Sequence, residues 1–432
     1  MINEIKKNKS NNFLIFVLIF ALGMWVGYQY FLNQKNTSAT LTTEKNTPKP
    51  FIGEIYDKIK DNYWNNISDS ELLDLFKLSI DKNGGLVSVA KFDNKDQLLD
   101  SILKATSGMN EQDRSKFLAS VVSSVLTTLQ PVGRSGLYTQ KQEEQLKNTV
   151  ANINPEKDLY KDLGLNKGAS ADAVTKAYNE QAQKLATDSS KEAQDKLKTI
   201  VYAKTTLTQA DTKQRYDQNK VEPTILSSVI GSDVLYVQFK KFSPTSLDEF
   251  QKAFEPYKDN SGITALILDL RGNIGGAIDE TAYFLGFFLG KNQSAFDFYH
   301  KGDYLPFKTQ VDKLASLQKY KQIVLLVDQN TQSSAELMTA SLKRYHAAVV
   351  VGIPTKGWGT VERVFPLDNQ ISKTEKYSIF LVHSMTLRDD NQPIEGRGVD
   401  PNIGIKSTDW EQQLSQYFRN SDLVNAVKSV SF

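Results

Sequence analysis

Between Lys321 and Thr360 the chain alternates short apolar runs with a helical period. Ile323 to Val327 is continuously apolar, and a polar turn carrying Ser333 and Ser334 follows. Leu337, Met338, Ser341, Leu342 and Tyr345 then repeat at three- and four-residue spacing, before a second apolar run from Ala347 to Val351 and a glycine-rich turn. This pattern predicts strand, helix and strand with a parallel pairing. A serine at such a turn has two uses. It caps the helix, or it stands exposed beside the free N–H groups of the helix start as a nucleophile.

The same alternation governs everything from Val234 onward. Val234 to Phe239 reads as a strand, Leu247 to Tyr257 as a helix and Ala265 to Leu270 as a buried strand. That strand runs into Arg271-Gly272-Asn273-Ile274-Gly275-Gly276 and a helix from Ile278 to Leu289. A glycine pair at this kind of turn lets backbone approach a ligand and offers N–H groups to an oxygen anion. It also suits a tight turn at positive φ. The order G-x-G-x-x-G is absent, which excludes the usual dinucleotide fingerprint. Glu362 to Leu367 and Ser378 to His383 add strands, Glu395 to Pro401 is a loop, and Trp410 to Val430 is helical.

Upstream the period is helical. Ile52, Ile55, Tyr56, Ile59 and Tyr63 share one face, and Ser68 with Glu71 forms a capping box. Further helical stretches cover Leu98 to Leu103 and Phe117 to Leu126, and this region closes around Leu129-Gln130-Pro131 and Gly136-Leu137-Tyr138. Glu156 to Asn219 is an island rich in Ala, Lys, Gln and Asp. Three helices are expected in it: Leu159 to Leu163, one capped by Ser170 with Val174, Tyr178, Gln181, Ala182 and Leu185 on a stripe, and one carrying Ala193 to Leu207.

The N-terminus differs again. Lys6, Lys7 and Lys9 precede Phe13 to Phe31, a run without charge. At helical rise it reaches about 28 Å, enough for the hydrocarbon core. A cleaved signal peptide has a shorter apolar core and a small-residue site, whereas Trp25, Tyr28, Tyr30 and Phe31 suit an interfacial anchor. The division is therefore a basic cytoplasmic tail (1–12), an anchor (13–31), a tether (32–50), a helical region (51–150), a helical insert (155–220) and an α/β domain (225–432) outside the membrane. The 432 residues allow several sizeable cores. With 52 basic against 50 acidic residues, no global field favours nucleic acid. Zero cysteines exclude disulfides, thiol catalysis and thiolate metal sites. The three histidines, His300, His346 and His383, are too widely spaced for a usual zinc motif. No metal or cofactor is expected.

Leu266 to Gly276, LILDLRGNIGG, resembles the Leu-Asp-Leu-Arg-Gly-Asn-x-Gly-Gly segment of the C-terminal processing (tail-specific) serine peptidases. Gly396 to Asn402 resembles that family's closing Gly-Lys-Gly-Ile-x-Pro-Asp, and Phe51 to Tyr138 its helical N-terminal region. The resemblance implies a crotonase-like α/β core acting on proteins or peptides. It implies Ser333 as nucleophile, three residues before Glu336, and Gly275 and Gly276 as oxyanion donors. The family's general base is a lysine in Thr-Phe-Gly-Lys-Gly, oriented by a glutamine four residues on. Here the turn reads Thr355-Lys356-Gly357-Trp358-Gly359, with Trp358 at the lysine position and Glu362 at the glutamine position. Lys356, two residues earlier, is the candidate substitute base; His346 and His383 occupy no base position.

The insert resembles a J-domain through Asp158 to Leu165, Ala171 to Tyr178 and Arg215-Tyr216-Asp217-Gln218. It fills the slot of the family's PDZ domain. The diagnostic His-Pro-Asp aligns with Ala186-Thr187-Asp188, so His and Pro are missing and a chaperone ATPase is not the expected partner. The sequence thus implies a membrane-anchored serine endopeptidase with a relocated or lost base, or a silent scaffold that binds peptides, with the insert as a partner-docking module or a rigid spacer.

Overall fold

The computed structural model of the chain describes residues 47–84, 91–388 and 390–430. The basic tail, the anchor expected at 13–31 and nearly all of the tether lie outside the described residues. Among the described residues, no helix is long and apolar enough to cross a membrane.

Helix α1 (Pro48–Asn62) opens on a proline, whose missing N–H costs nothing in a first turn. Its expected face is buried: Phe51, Ile52, Ile55 and Ile59 are fully enclosed. In α2 (Asp69–Lys82) the capping box forms, with Ser68 N–H donating to Glu71 Oε2 at 2.8 Å and Glu71 N–H to Ser68 Oγ at 3.2 Å. Helices α3 (Lys95–Thr106) and α4 (Glu111–Thr128) complete the bundle. The boundary expected near Tyr138 is not a break. Gly136–Thr139 is a strand, β1, paired antiparallel with residues 377–380, and α5 (Gln140–Val150) follows it. The helical core also takes in Leu367, Ile371, Ile379 and Leu381 of the α/β part. A four-residue strand carries too little periodicity to be read locally, so this region looked separable in sequence and is not.

The insert holds four helices, one more than expected: α6 (Leu159–Asp162), α7 (Ala171–Leu185), α8 (Lys191–Thr208) and α9 (Ala210–Asn219). Ser170 caps α7 by accepting from Ala173 N–H at 3.2 Å. Of the expected stripe, Val174 is fully buried and Tyr178, Ala182 and Leu185 pack at its edge. Helix α9 carries no apolar period because most of its residues are polar; it is held by buried Tyr216 and Thr212. Its outer side clamps the insert to the next domain, through Arg215 to Glu249 at 3.0 Å and Asp211 to Lys252 at 3.0 Å.

The α/β part builds two sheets. Strands β2 (Ile225–Ile230), β3 (Val234–Phe239) and β4 (Ala265–Asp269) are joined by helix α10 (Ser246–Phe254). Then come α11 (Thr281–Leu289), β5 (Ser294–His300), β6 (Asp303–Lys308) and β7 (Gln322–Val327). Helix α12 (Ser334–Arg344), β8 (Val349–Gly352), β9 (Thr360–Pro366) and β10 (Tyr377–Thr386) follow, then β11 (Ile403–Gly404). The chain ends in two helices rather than one, α13 (Trp410–Phe418) and α14 (Ser421–Val430), broken at a left-handed Arg419.

The first sheet has the order β11-β8-β7-β4-β3-β2, parallel except for β2. The β7–α12–β8 unit is the predicted one, with Val324 opposite Val349. Both faces are covered, as parallel strands require. Leu266 and Leu268 face the phenylalanine-rich core of Phe239, Phe250 and Phe284. Ala265 and Ile267 face Leu414, Leu423 and Val427 of the terminal helices. The second sheet runs β1-β10-β5-β6, with β9 also on β10. Strands β2, β5 and β6 were not read in sequence.

Candidate active site

Three loops converge at the C-terminal ends of β4, β7 and β8. Asn273 joins the first two. Its Nδ2 donates to Phe239 O at 2.8 Å, its Oδ1 accepts from Gly275 N–H at 2.8 Å, and its carbonyl accepts from Gln332 N–H at 2.9 Å. The turn between β7 and α12 is thereby fixed against the glycine pair. Thr331 adds the third loop: its hydroxyl donates to Leu270 O at 2.9 Å and its carbonyl accepts from Lys356 N–H at 2.9 Å.

Ser333 is the N-cap of α12 and adopts φ 58°, ψ −125°. A non-glycine residue at positive φ is strained and needs its surroundings to hold it there. The hold comes from Glu336, which accepts from Ser333 N–H at 2.9 Å, while Glu336 N–H donates to the Ser333 carbonyl at 2.8 Å. The Ser333 backbone is thus held by Glu336, and its side chain makes no cap hydrogen bond to the helix start. Glu336 is fully buried. Its carboxylate also accepts from Thr355 Oγ1, Gly357 N–H at 2.7 Å and Trp358 N–H at 2.9 Å. Burial pushes this carboxyl upward, against the lowering effect of those four donors.

Gly275 and Gly276 both have positive φ, 79° and 137°. A methyl on Gly275 would lie 2.6 Å from Ser333 Cβ, so the two residues touch. The Gly275 N–H is already engaged by Asn273, a correction to its expected role as an oxyanion donor. The Gly276 N–H has no hydrogen-bond partner among the described residues. Its neighbours are fixed, with Phe242 N–H on Gly275 O at 3.0 Å and Ala277 N–H on Phe242 O at 2.9 Å.

The base position is closed. Trp358 Nε1–H donates to Glu362 Oε1 at 2.9 Å, and Thr360 Oγ1 donates to the same oxygen. The Arg134 guanidinium lies 3.6 Å from the centre of the Trp358 ring. Arg134 also donates to Glu395 Oε1 through Nε at 3.0 Å and Nη2 at 2.8 Å. Glu395 Oε2 in turn accepts from Gly359 N–H at 2.8 Å. Burial pushes the Glu362 carboxyl up, offset by Thr360, Trp358 and Arg134. Lys356 is exposed, and no basic side chain hydrogen-bonds the Ser333 hydroxyl among the described residues. The geometry therefore joins Ser333, Gly275, Gly276, Trp358 and Glu362 into one site but leaves the Lys356 amine in solvent. His346 is exposed, and His383 stacks on His300.

Arg134, Thr355 and Glu395 had no predicted role. Thr355 opens the Thr355–Gly359 turn and Glu395 the Glu395–Pro401 loop, both glycine-rich signals in the sequence, whereas Arg134 lies outside any repeated spacing. No group of three or more His, Cys, Asp or Glu suited to a metal occurs among the described residues.

Residues 233–405 match the model of peptidase family S41, and residues 158–217 match the DnaJ domain. A probable CtpA-like serine protease of Staphylococcus epidermidis is 30% identical over 152 residues, 35% of this chain and 29% of that protein. The carboxy-terminal processing protease CtpA of Bacillus subtilis is 26% identical over 188 residues, 43% of this chain and 38% of that protein. The matches thus span well under half the length of these relatives. Among solved structures, the photosystem II D1 C-terminal processing protease aligns with TM-score 0.46 and 13% identity, covering 84% of this chain and 94% of that one. Residues 233–405 thus match peptidase family S41 and are similar to the C-terminal processing proteases, and residues 158–217 match the DnaJ domain.

Proposed function

We propose that this chain is a catalytically silent member of its family that holds extended protein segments in the former cleavage cleft. Trp358 carries the reading. At the position where the family's lysine takes the serine proton stands an indole, which has no acceptor nitrogen, tied to Glu362 and covered by Arg134. A positioned general base contributes roughly 10²–10⁴-fold, and an unassisted hydroxyl is a weak nucleophile. The Ser333 turn and the Gly276 N–H remain as a shaped place for an incoming carbonyl.

The test uses the fragment from Pro48 onward with an unstructured protein as substrate. We expect binding without Ser333-dependent cleavage, and Ser333-dependent cleavage once Trp358→Lys and Glu362→Gln are combined. An unsubstituted fragment that cleaves, and stops cleaving as Ser333→Ala, overturns the proposal. One observation favours an active peptidase instead: the strained Ser333 backbone is retained. In that reading Lys356 swings in as the base, and both Ser333→Ala and Lys356→Ala abolish cleavage.

The apolar run at 13–31 supports placing these domains outside a membrane, so external protease should digest them in intact cells; protection there counts against it. The insert is proposed as a docking module for a protein partner. With Ala186-Thr187-Asp188 in its loop, it should leave a chaperone ATPase rate unchanged, and stimulation would count against the docking-module proposal.

A further inference from the structure

Two of the chain's three histidines stack on each other far from any predicted role. The rings of His300 and His383 lie 4.3 Å apart and 12° from parallel. His383 is the extra residue of a bulge between Val382 and Ser384 where β10 meets β9, and bulges re-aim a side chain. His300 ends β5, and its Nδ1–H donates to the His383 carbonyl at 2.5 Å. The His383 Nδ1 pairs with Ser384 Oγ at 2.8 Å.

A third element meets the stack. Lys301, at the tip of the β5–β6 hairpin, donates its N–H to Trp64 O at 2.7 Å and its Nζ to the carbonyls of Lys60 and Asp61 at 2.6 and 2.8 Å. Trp64 N–H donates to Val382 O at 3.0 Å, and Trp64 Nε1–H to Gln130 O at 2.7 Å. The end of α1, the hairpin tip and the bulge of β10 therefore share one junction. The charged groups around His383 are cationic: Arg363 on β9 and Lys301 on the hairpin. Asp303, opposite His300 across the hairpin, is exposed. Among the described residues no carboxylate accepts a hydrogen bond from either ring. Burial first, then Arg363, His300 and Lys301, hold the His383 imidazole down at about 4.

We propose that the His300–His383 stack is an acid-sensitive latch that holds the β5–β6 hairpin and the bulge of β10 against the end of α1. Below the ordinary histidine range the open junction takes up a proton that the stack rejects, so the hairpin tip releases. The consequence reaches the cleft region, because Val382 pairs with Glu362 and its N–H is tied to Ser135 Oγ, next to Arg134.

Hydrogen exchange on the fragment from Pro48 onward, corrected for the intrinsic pH effect, tests this. Segments 61–66 and 298–303 should exchange roughly tenfold faster at pH 5 than at pH 7.5, the size of one unit of proton linkage. His383→Phe, which keeps a stacked ring without the titration, should remove that acceleration. Equal exchange at both pH values, or an acceleration that persists in His383→Phe, overturns the latch. If that variant does not fold, ring-labelled histidine NMR of the unsubstituted fragment decides. One junction imidazole should stay neutral well below pH 6, and titration of all rings together near 6.5 overturns the proposal.

Discussion

At Gly276 a methyl group would lie 1.9 Å from the Phe242 carbonyl oxygen, and the backbone already sits at φ 137°. Gly276→Ala should therefore cost on the order of 3 kcal/mol, combining strain with overpacking. Urea unfolding of the fragment from Pro48 onward measures it; a loss under about 0.5 kcal/mol, the range of an ordinary surface change, would mean that the turn relaxes freely. Arg134 offers a second test of the closed base position. Its pair with Glu395 is largely buried, with side-chain exposures of 18% and 13%. Removing one partner of such a pair strands the other, so Arg134→Ala should cost about 3 kcal/mol. The same variant should make the Trp358 indole accessible to fluorescence quenchers. Unchanged quenching relative to the parent would mean that Arg134 does not cover the ring.

At the level of elements, what was legible in the sequence follows from length and burial. The β7–α12–β8 unit could be read because strands buried on both faces are apolar throughout and the helix has a clear stripe. The turn at Leu266 to Gly276 could be read because only glycine fits where backbone passes within contact distance of Ser333 and Phe242. Strand β6 could not, since most of its residues are exposed and it holds Pro306 at a sheet edge. Arg134 was invisible for a different reason: its partners Trp358 and Glu395 lie more than two hundred residues away, and periodicity carries no long-range pairing. Helix α9 shows the same limit, because its polar outer face is explained by α10. Glu249 accepts from Thr224 N–H at 2.7 Å and Ile225 N–H at 3.2 Å, and Arg215 supplies its nearby charge. Arg215→Met should leave the secondary structure content unchanged while exchange protection across 210–219 falls. Protection equal to the parent would show that the insert is held by its apolar core alone.

Over the whole molecule, two groups pull stability in opposite directions with pH. His383 is held down at about 4 from an ordinary 6.5. The folded state rejects its proton, so its contribution is intact above 6.5 and is lost as pH falls toward 4. Glu280, beside the glycine turn, is pushed up to about 7 by burial and by Asp279, and its Oε2 is buried without a hydrogen-bond partner. Here the folded state prefers the proton. Stability is full below the ordinary 4.5 and is lost as pH rises through about 7. Both groups are only half-buried, which softens each slope without changing its sign. Between 4.5 and 6.5 the two slopes nearly cancel, so their sum is a broad plateau centred in the weakly acidic range. Thermal unfolding of the fragment from Pro48 onward at pH 4 to 8 should trace it. Glu280→Gln should uncover a rise of stability from 4 to 6.5, whereas His383→Phe should uncover a fall from 4.5 to 7. If Glu280→Gln shifts Tm by the same amount at pH 4.5 and pH 7.5, its carboxyl does not titrate across folding, and the alkaline limb has another source.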